Sequence, residues 1–261
     1  MGTFLNTAEH VPPTRKLFHV DPYLAHCEAT VIFVLDDLVV TDQTIFYAES
    51  GGQAADQGSI DGIPVIDVQK QGGTTLTVHR EDIEVPPVSI DTFIVHRLAQ
   101  PMPFRPGQRV LMELDWQRRW LHMRYHSASH FLYHAVRTIC KSEEGGAPRT
   151  RGCDIHSESA RFDYWDPIPG ESVPEIERVA NDLIAVGAPI RMEREPRADD
   201  LFYWTYQNIV IPCGGTHVRS SQEVGPIRVQ RRSKGKNNTR VYCYLQSSAI
   251  ATAAESTLKG N

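Results

Sequence analysis

The chain has 261 residues, enough for one large domain or two small ones, and its 41% hydrophobic and 23% charged content is that of an ordinary soluble globular protein. The net charge of −5 argues against a whole surface built to grip nucleic acid, and no apolar run approaches the roughly 18 residues that a membrane helix needs. Five irregularly spaced cysteines (Cys27, Cys140, Cys153, Cys213, Cys243), with no basic, apolar leader at Met1–His10, predict a cytoplasmic chain with reduced thiols rather than a disulfide scaffold.

Residues 1–13 read as a loose tail closing on Pro12-Pro13. From Thr14 the text turns to short β segments. Glu28–Leu35 and Leu38–Thr44 flank a turn at Asp36-Asp37, and an Asp61-Gly62 turn separates two more short strands. Thr74–His79, Ser89–Val95 and Val110–Asp115 complete the series. Strands at this density, broken by Gly and Pro, predict a small antiparallel β-barrel over residues 14–115. Between the early strands lies Phe46-Tyr-Ala-Glu-Ser-Gly51-Gly52-Gln53, whose paired glycines suit unusual dihedrals or a close backbone approach.

The period changes at Trp116. No Gly or Pro occurs from there to Cys140, and Leu121, Tyr125, Ala128, Leu132, Ala135 and Ile139 recur at helical spacing, so one long helix is predicted. A strand at Ser159–Trp165 and a second helix from Pro174 to just before Gly187 follow. Next come a strand at Ile190–Glu195, a short helix or loop at Ala198–Tyr206, a loop at Cys213–His217, and strands at Ile227–Arg231 and Arg240–Leu245. The fold class is α+β: a barrel, then an α/β layered domain over residues 116–261 built on the long helix.

Two features carry chemistry. His126 and His130 stand four apart on that helix, so both imidazoles can address one point, and Cys213-Gly-Gly-Thr-His217 repeats the spacing with a thiolate and an imidazole. Such a His/His/Cys/His set suits Zn²⁺. Four protein ligands are usual in a structural site, whereas a catalytic zinc keeps one position open; the residues alone leave both readings standing. Position 127 is Ser, so the His-Glu-x-x-His base of zinc proteases is absent, as is the Cys-x-x-Cys of base deaminases. The second feature is the run holding Arg228, Arg231, Arg232, Lys234, Lys236 and Arg240, with no acidic residue from Val224 to Ala254. It reads either as a cationic strip for a phosphate backbone or as a solvated sheet edge. Arg118, Arg119 and Arg124 would extend the strip or form the helix's solvated face.

Three stretches in order, Phe46–Gln53, His126-Ser-Ala-Ser-His130 and Cys213-Gly-Gly-Thr-His-Val218, resemble the editing region of alanyl-tRNA synthetases. With no aminoacylation domain beside it, the chain from about Thr14 to Leu245 resembles the free-standing AlaX family. The resemblance implies a zinc-dependent aminoacyl-tRNA deacylase acting in trans on tRNA(Ala) mischarged with serine, with glycine a further acyl group. It implies zinc ligands at His126, His130, Cys213 and His217, and tRNA contacts along the strip from Arg228 to Arg240. Gly51 and Gly52 match a motif linked in the longer family members to choosing serine over alanine. Thr150 falls where relatives carry a Pro-x-Thr-Gly-Gly run whose Thr could bond a seryl hydroxyl; here Arg151 replaces a small residue, and Cys153-Asp154 departs from the pattern. A non-catalytic tRNA-binding module with a structural zinc, and an editing enzyme for a different misacylated tRNA, are the alternatives.

Overall fold

The computed structural model describes residues 11–246, apart from residues 82, 102–103, 143–144, 234 and 236–237. Most of the expected tail, and both lysines of the basic strip, therefore lie outside the described residues. The fold is α+β, mostly sheet, with two α-helices among the described residues. Backbone contacts divide the chain into two compact units, Met1–Met123 with Ile190–His217, and Arg124–Pro189 with Val218–Asn261.

In the first unit six antiparallel strands pair around a closed circuit. Their order is Arg109–Leu114, His26–Leu35, Leu38–Thr41, Phe93–Leu98, Ile63–Gln71 and Gly58–Ile60, which pairs with Arg109–Leu114 again. The period-2 pattern places the core: along Arg109–Leu114, Val110 and Met112 are buried while Arg109, Leu111 and Glu113 are exposed. They join Val31, Val39, Ile60, Val68 and Ile94 in one cluster. Burying each such side chain contributes about 1.5–3 kcal/mol. Asp61 and Gly62 both have positive φ (46° and 77°), the two-residue turn whose twist matches a hairpin.

A buried histidine ties the circuit together. His96 has no exposed surface; its ring lies 3.2 Å from the Val39 carbonyl and 2.8 Å from the Thr44 hydroxyl. The carbonyl can only accept, so Nδ1 carries the proton and Nε2 accepts from Thr44. Burial pulls the His96 pKa from 6.5 to about 4.

The same unit holds an antiparallel three-stranded sheet, Arg191–Arg194, Phe202–Tyr206 and Ile209–Pro212. Its middle strand corrects the expected helix or loop at Ala198–Tyr206. Phe-Tyr-Trp-Thr-Tyr is an aromatic and β-branched run that fits a pleated surface, and all but Thr205 are buried.

The second unit is a four-stranded antiparallel sheet in the order Thr150–Ile155, Ala160–Tyr164, Thr239–Leu245 and Ile227–Ser233. The Val173–Ala185 helix, with Pro174 in its first turn, covers the edge strand. Asn181 accepts from the Ile227 amide (2.8 Å) and donates to its carbonyl (2.9 Å), while Glu177 accepts from the Val229 amide (2.7 Å). Side chains thus satisfy backbone groups that an open edge would offer to another chain.

The long helix runs Trp116–Ile139, as its spacing predicts. From Tyr125 to Leu132 every residue is buried. Side chains there are kept small at Ser127, Ala128 and Ser129, which suits a helix surrounded on all sides.

Candidate metal centre and nucleic-acid face

His126 and His130 sit one helical turn apart with rings stacked at 5.0 Å and an interplanar angle of 23°. Burial drops the His130 pKa from 6.5 to about 3, so its ring is neutral, the form that donates a lone pair to a metal. Ser127, in the place of a protease glutamate, has a structural role: its Oγ accepts from the Val218 amide (3.3 Å).

In the loop after Pro212, Cys213 Sγ lies 3.3 Å from His217 Nε2, and the Gly215 amide donates to the sulfur at 3.4 Å. Around a tetrahedral zinc, neighbouring ligand atoms lie about 3.5 Å apart, given Zn–S and Zn–N bonds of about 2.3 and 2.1 Å. The Cys213–His217 spacing fits. His126, His130, Cys213 and His217 are a His/Cys group that could hold a metal ion.

The glycine pair explains how the Cys213–His217 loop is held. Gly51 and Gly52 have φ of 57° and 82°, and Ser50 and Gln53 exchange backbone hydrogen bonds across them (3.2 and 3.0 Å). Two consecutive positive φ values make a type I′ turn, which side-chain-bearing residues resist. Nothing lies within 4 Å of a Cβ built at Gly51, so there the glycine answers to dihedral angle and not to close approach. The turn delivers Gln53, wholly buried, to the Cys213–His217 loop: its Oε1 accepts from the Thr216 amide (3.1 Å) and its Nε2 donates to the Thr216 hydroxyl (2.9 Å).

A second prop is His19, whose Nε2 donates to the Gly214 carbonyl at 3.0 Å while its ring packs on Phe202 at 4.3 Å. Burial lowers its pKa to about 4. Nearby, Lys16 and Asp200 form a buried ion pair at 2.7 Å. Lys70 donates to Ser50 Oγ at 3.2 Å, and burial lowers its pKa. Gln53 and Thr216 stand inside the recognisable motifs, but their bonding does not follow from sequence; His19 gave no signal at all.

Arg119 corrects both readings of the helix arginines. It is fully buried, ion-paired with Asp56 (1% exposed), and donates to the carbonyls of Ile45 (2.6 Å) and Pro22 (2.8 Å). Asp56 in turn accepts from the Tyr47 amide (2.7 Å), so the pair fixes the stretch leading into the glycine turn. Arg118 donates to the Ala55 carbonyl and Arg124 to that of Val224, so both are engaged with backbone.

Among the described residues, the arginines of the basic strip do not all lie on one face. Arg228 and Arg232 share one side of their strand, whereas Arg231 falls on the other and donates to the Ile168 carbonyl. Arg240 is paired with Asp163 (2.8 Å), which comes from another strand and is invisible to a search along the run itself. Lys234 and Lys236 lie outside the described residues. Thr150 is exposed and pairs with Tyr164 just before a bulge; Arg151, in that bulge, lies over the Trp165 ring at 4.7 Å. No two cysteines are joined by a disulfide, and no helix among the described residues is long and apolar enough to cross a membrane.

Residues 207–242 match the family described as Threonyl and Alanyl tRNA synthetase second additional domain. The chain is similar to the alanine–tRNA ligase of Pyrococcus furiosus, 32% identical over 246 residues, and to that of Ignicoccus hospitalis, 34% identical over 249. The Methanococcus vannielii enzyme is 28% identical over 245 residues. These alignments cover 85–86% of this chain, which spans about a quarter (25%) of the length of these curated relatives.

Proposed function

We propose that the chain, an AlaX-like relative of the alanyl-tRNA synthetases akin to their editing region, is a trans-editing hydrolase. Its substrate in this reading is mischarged Ser-tRNA(Ala), with Gly-tRNA(Ala) a further candidate, and its partner is that tRNA. The barrel of residues 14–115 carries the glycine turn, residues 116–261 carry the editing site, and the setting is the cytoplasm. The observation that carries the reading is the alignment of nearly the whole chain with the tRNA ligases, combined with a His/His/Cys/His donor set.

His126, His130, Cys213 and His217 would hold Zn²⁺. Bound there, zinc polarises a carbonyl or lowers the pKa of a water, the assistance an ester hydrolysis needs. Gln53 and His19 act on the loop that presents two of the donors, holding Thr216 and Gly214 in place. Gly51 and Gly52 contribute through the turn that delivers Gln53. Thr150 is the candidate for reading the seryl hydroxyl: a pocket that bonds a hydroxyl rejects the analogue lacking it far more strongly than an apolar pocket rejects the added group. Arg228, Arg232 and Arg240, with Lys234 and Lys236, supply cations for the tRNA; Arg231 belongs to the same strip, with its guanidinium on the Ile168 carbonyl.

Two other readings have support. Four protein donors are the usual complement of a structural zinc, which favours a tRNA-binding module without catalysis. Arg151 over Trp165, beside Thr150, favours an acyl group other than serine. Incubating the protein with Ser-tRNA(Ala), Gly-tRNA(Ala), Ala-tRNA(Ala) and a set of other misacylated tRNAs, with and without chelator, separates all three. The editing reading expects hydrolysis of the seryl ester in preference to the alanyl one, abolished by chelation. Hydrolysis of none, with unfolding on chelation, supports the structural module. Rapid hydrolysis of another aminoacyl-tRNA alone supports the third.

A further inference from the structure

The outward face of the four-stranded sheet is built in cross-strand rows. One row reads Asp154, Arg161, Tyr242, Gln230; the next reads Gly152, Asp163, Arg240, Arg232; a third sets Tyr244 opposite Arg228. The opposite side of the same strands is the buried one, with Ala160, Phe162, Val229, Val241 and Cys243. Both carboxylates of the outward face are consumed within it. Arg161 pairs with Asp154 (2.8 Å) and Asp163 (2.6 Å), and Arg240 takes Asp163 as well. Arg228 and Arg232 are exposed and have no carboxylate among the described residues.

Stability does not explain that arrangement. Arg232 stands directly opposite Arg240, and like charges so placed are destabilising. Aromatic rings occupy the middle of the same face. Tyr242 and Tyr244 are half-buried, and their rings are nearly parallel, at 14°, with centroids 5.8 Å apart. Arg232 and Arg240 lie over the Tyr242 ring at 5.0 and 5.9 Å. A row of parallel rings and guanidinium groups with unneutralised cations at its margin is complementary to a strand carrying planar bases on an anionic backbone. It does not suit an A-form duplex, whose bases are already stacked and whose major groove is too deep and narrow to admit a sheet face.

We infer that this face binds unpaired nucleotides of an RNA strand, the bases stacking on Tyr242 and Tyr244 and the phosphates lying against Arg228 and Arg232. The inference deepens the tRNA reading above, because it assigns the recognition of single-stranded nucleotides to a surface distinct from the metal ligands. It does not depend on hydrolysis.

The test uses the full chain, with a fluorescein-labelled single-stranded decaribonucleotide and a blunt RNA duplex of equal length as probes. The single strand binds more tightly than the duplex. Tyr242→Leu with Tyr244→Leu weakens single-strand binding by about thirtyfold or more, the loss of two stacking rings, and the Phe/Phe variant retains it. Arg228→Gln and Arg232→Gln, at exposed positions where folding is not at risk, each lower the slope of log K against log salt by about 0.7. Preference for the duplex, or unchanged slopes in both arginine variants, overturns the inference even if the Leu variants fail to fold. Failure of the editing reading is a different result: single-strand binding intact, with no aminoacyl-tRNA hydrolysed.

Discussion

Replacing Gln53 with Met tests whether the glycine turn serves the metal loop. Methionine approximates the side chain's length but removes both polar atoms. Two hydrogen bonds are lost, to the amide and hydroxyl of Thr216, at 3.1 and 2.9 Å. Each contributes about 1 kcal/mol net, and the Thr216 amide, in a residue 1% exposed, is left without its acceptor at a cost of about 1–3 kcal/mol. The expected loss of stability is therefore about 2–4 kcal/mol, read from urea denaturation. The same change frees the loop between Cys213 and His217, and groups that orient metal ligands are typically worth about 10–100-fold in metal affinity. Zinc affinity, measured by chelator competition, should fall by that factor. Thr216→Val should give a similar effect, and the double variant should fall short of the sum, because the two changes break the same contacts. A Gln53→Met protein with wild-type stability and wild-type zinc affinity would refute the link between the turn and the metal loop.

Arg119→Met leaves Asp56 buried and unpaired and should cost about 3–5 kcal/mol in urea denaturation; an effect under about 1 kcal/mol would show that the pair does not hold the Ile45–Tyr47 stretch. Gly51→Ala should cost about 1–2 kcal/mol from backbone strain alone, since φ is 57° and no atom crowds the new methyl group; a loss much larger than that would mean that the position also requires close approach. Acid should weaken the fold through His96. Its folded pKa, about 4, lies below the 6.5 of an ordinary histidine, so the stability it contributes is complete above pH 6.5 and is lost as pH falls toward 4, with about 2 kcal/mol gone by pH 5. Comparing denaturation at pH 7 and pH 5 in wild type and His96→Gln checks this: the variant should show the smaller decline, and an equal decline would remove His96 from the account.

Legibility followed the range of the interactions. The long helix could be read because Trp116–Cys140 has an uninterrupted 3.6-residue pattern, and it ends at Ile139, one residue short. The Asp61-Gly62 turn was legible because its residue types tolerate the positive φ found there. Phe202–Tyr206 was missed as a strand because burial on both faces erases the alternation that marks strands. Thr150–Ile155 was missed because it is a polar strand with a bulge, more exposed than buried. The metal donors could be nominated from spacing, since Cys and His at four-residue intervals are chemically suggestive wherever they lie. Their supports could not: Gln53 and Thr216 are 163 positions apart, and His19 and Gly214 are 195 apart. The same limit bears on the basic strip. A run empty of acidic residues is not a face empty of them, because Asp163 arrives from the neighbouring strand and takes Arg240. Arg119 failed for the opposite reason, a charge on a helix being read as surface when Asp56 draws it inside.

The most direct test of the editing account is deacylation of Ser-tRNA(Ala) by Cys213→Ala, with zinc content measured on the same preparation. Cys213→Ala should remain folded but lose most of its zinc and its hydrolysis of the seryl ester. Wild-type hydrolysis by a zinc-free Cys213→Ala protein would contradict it.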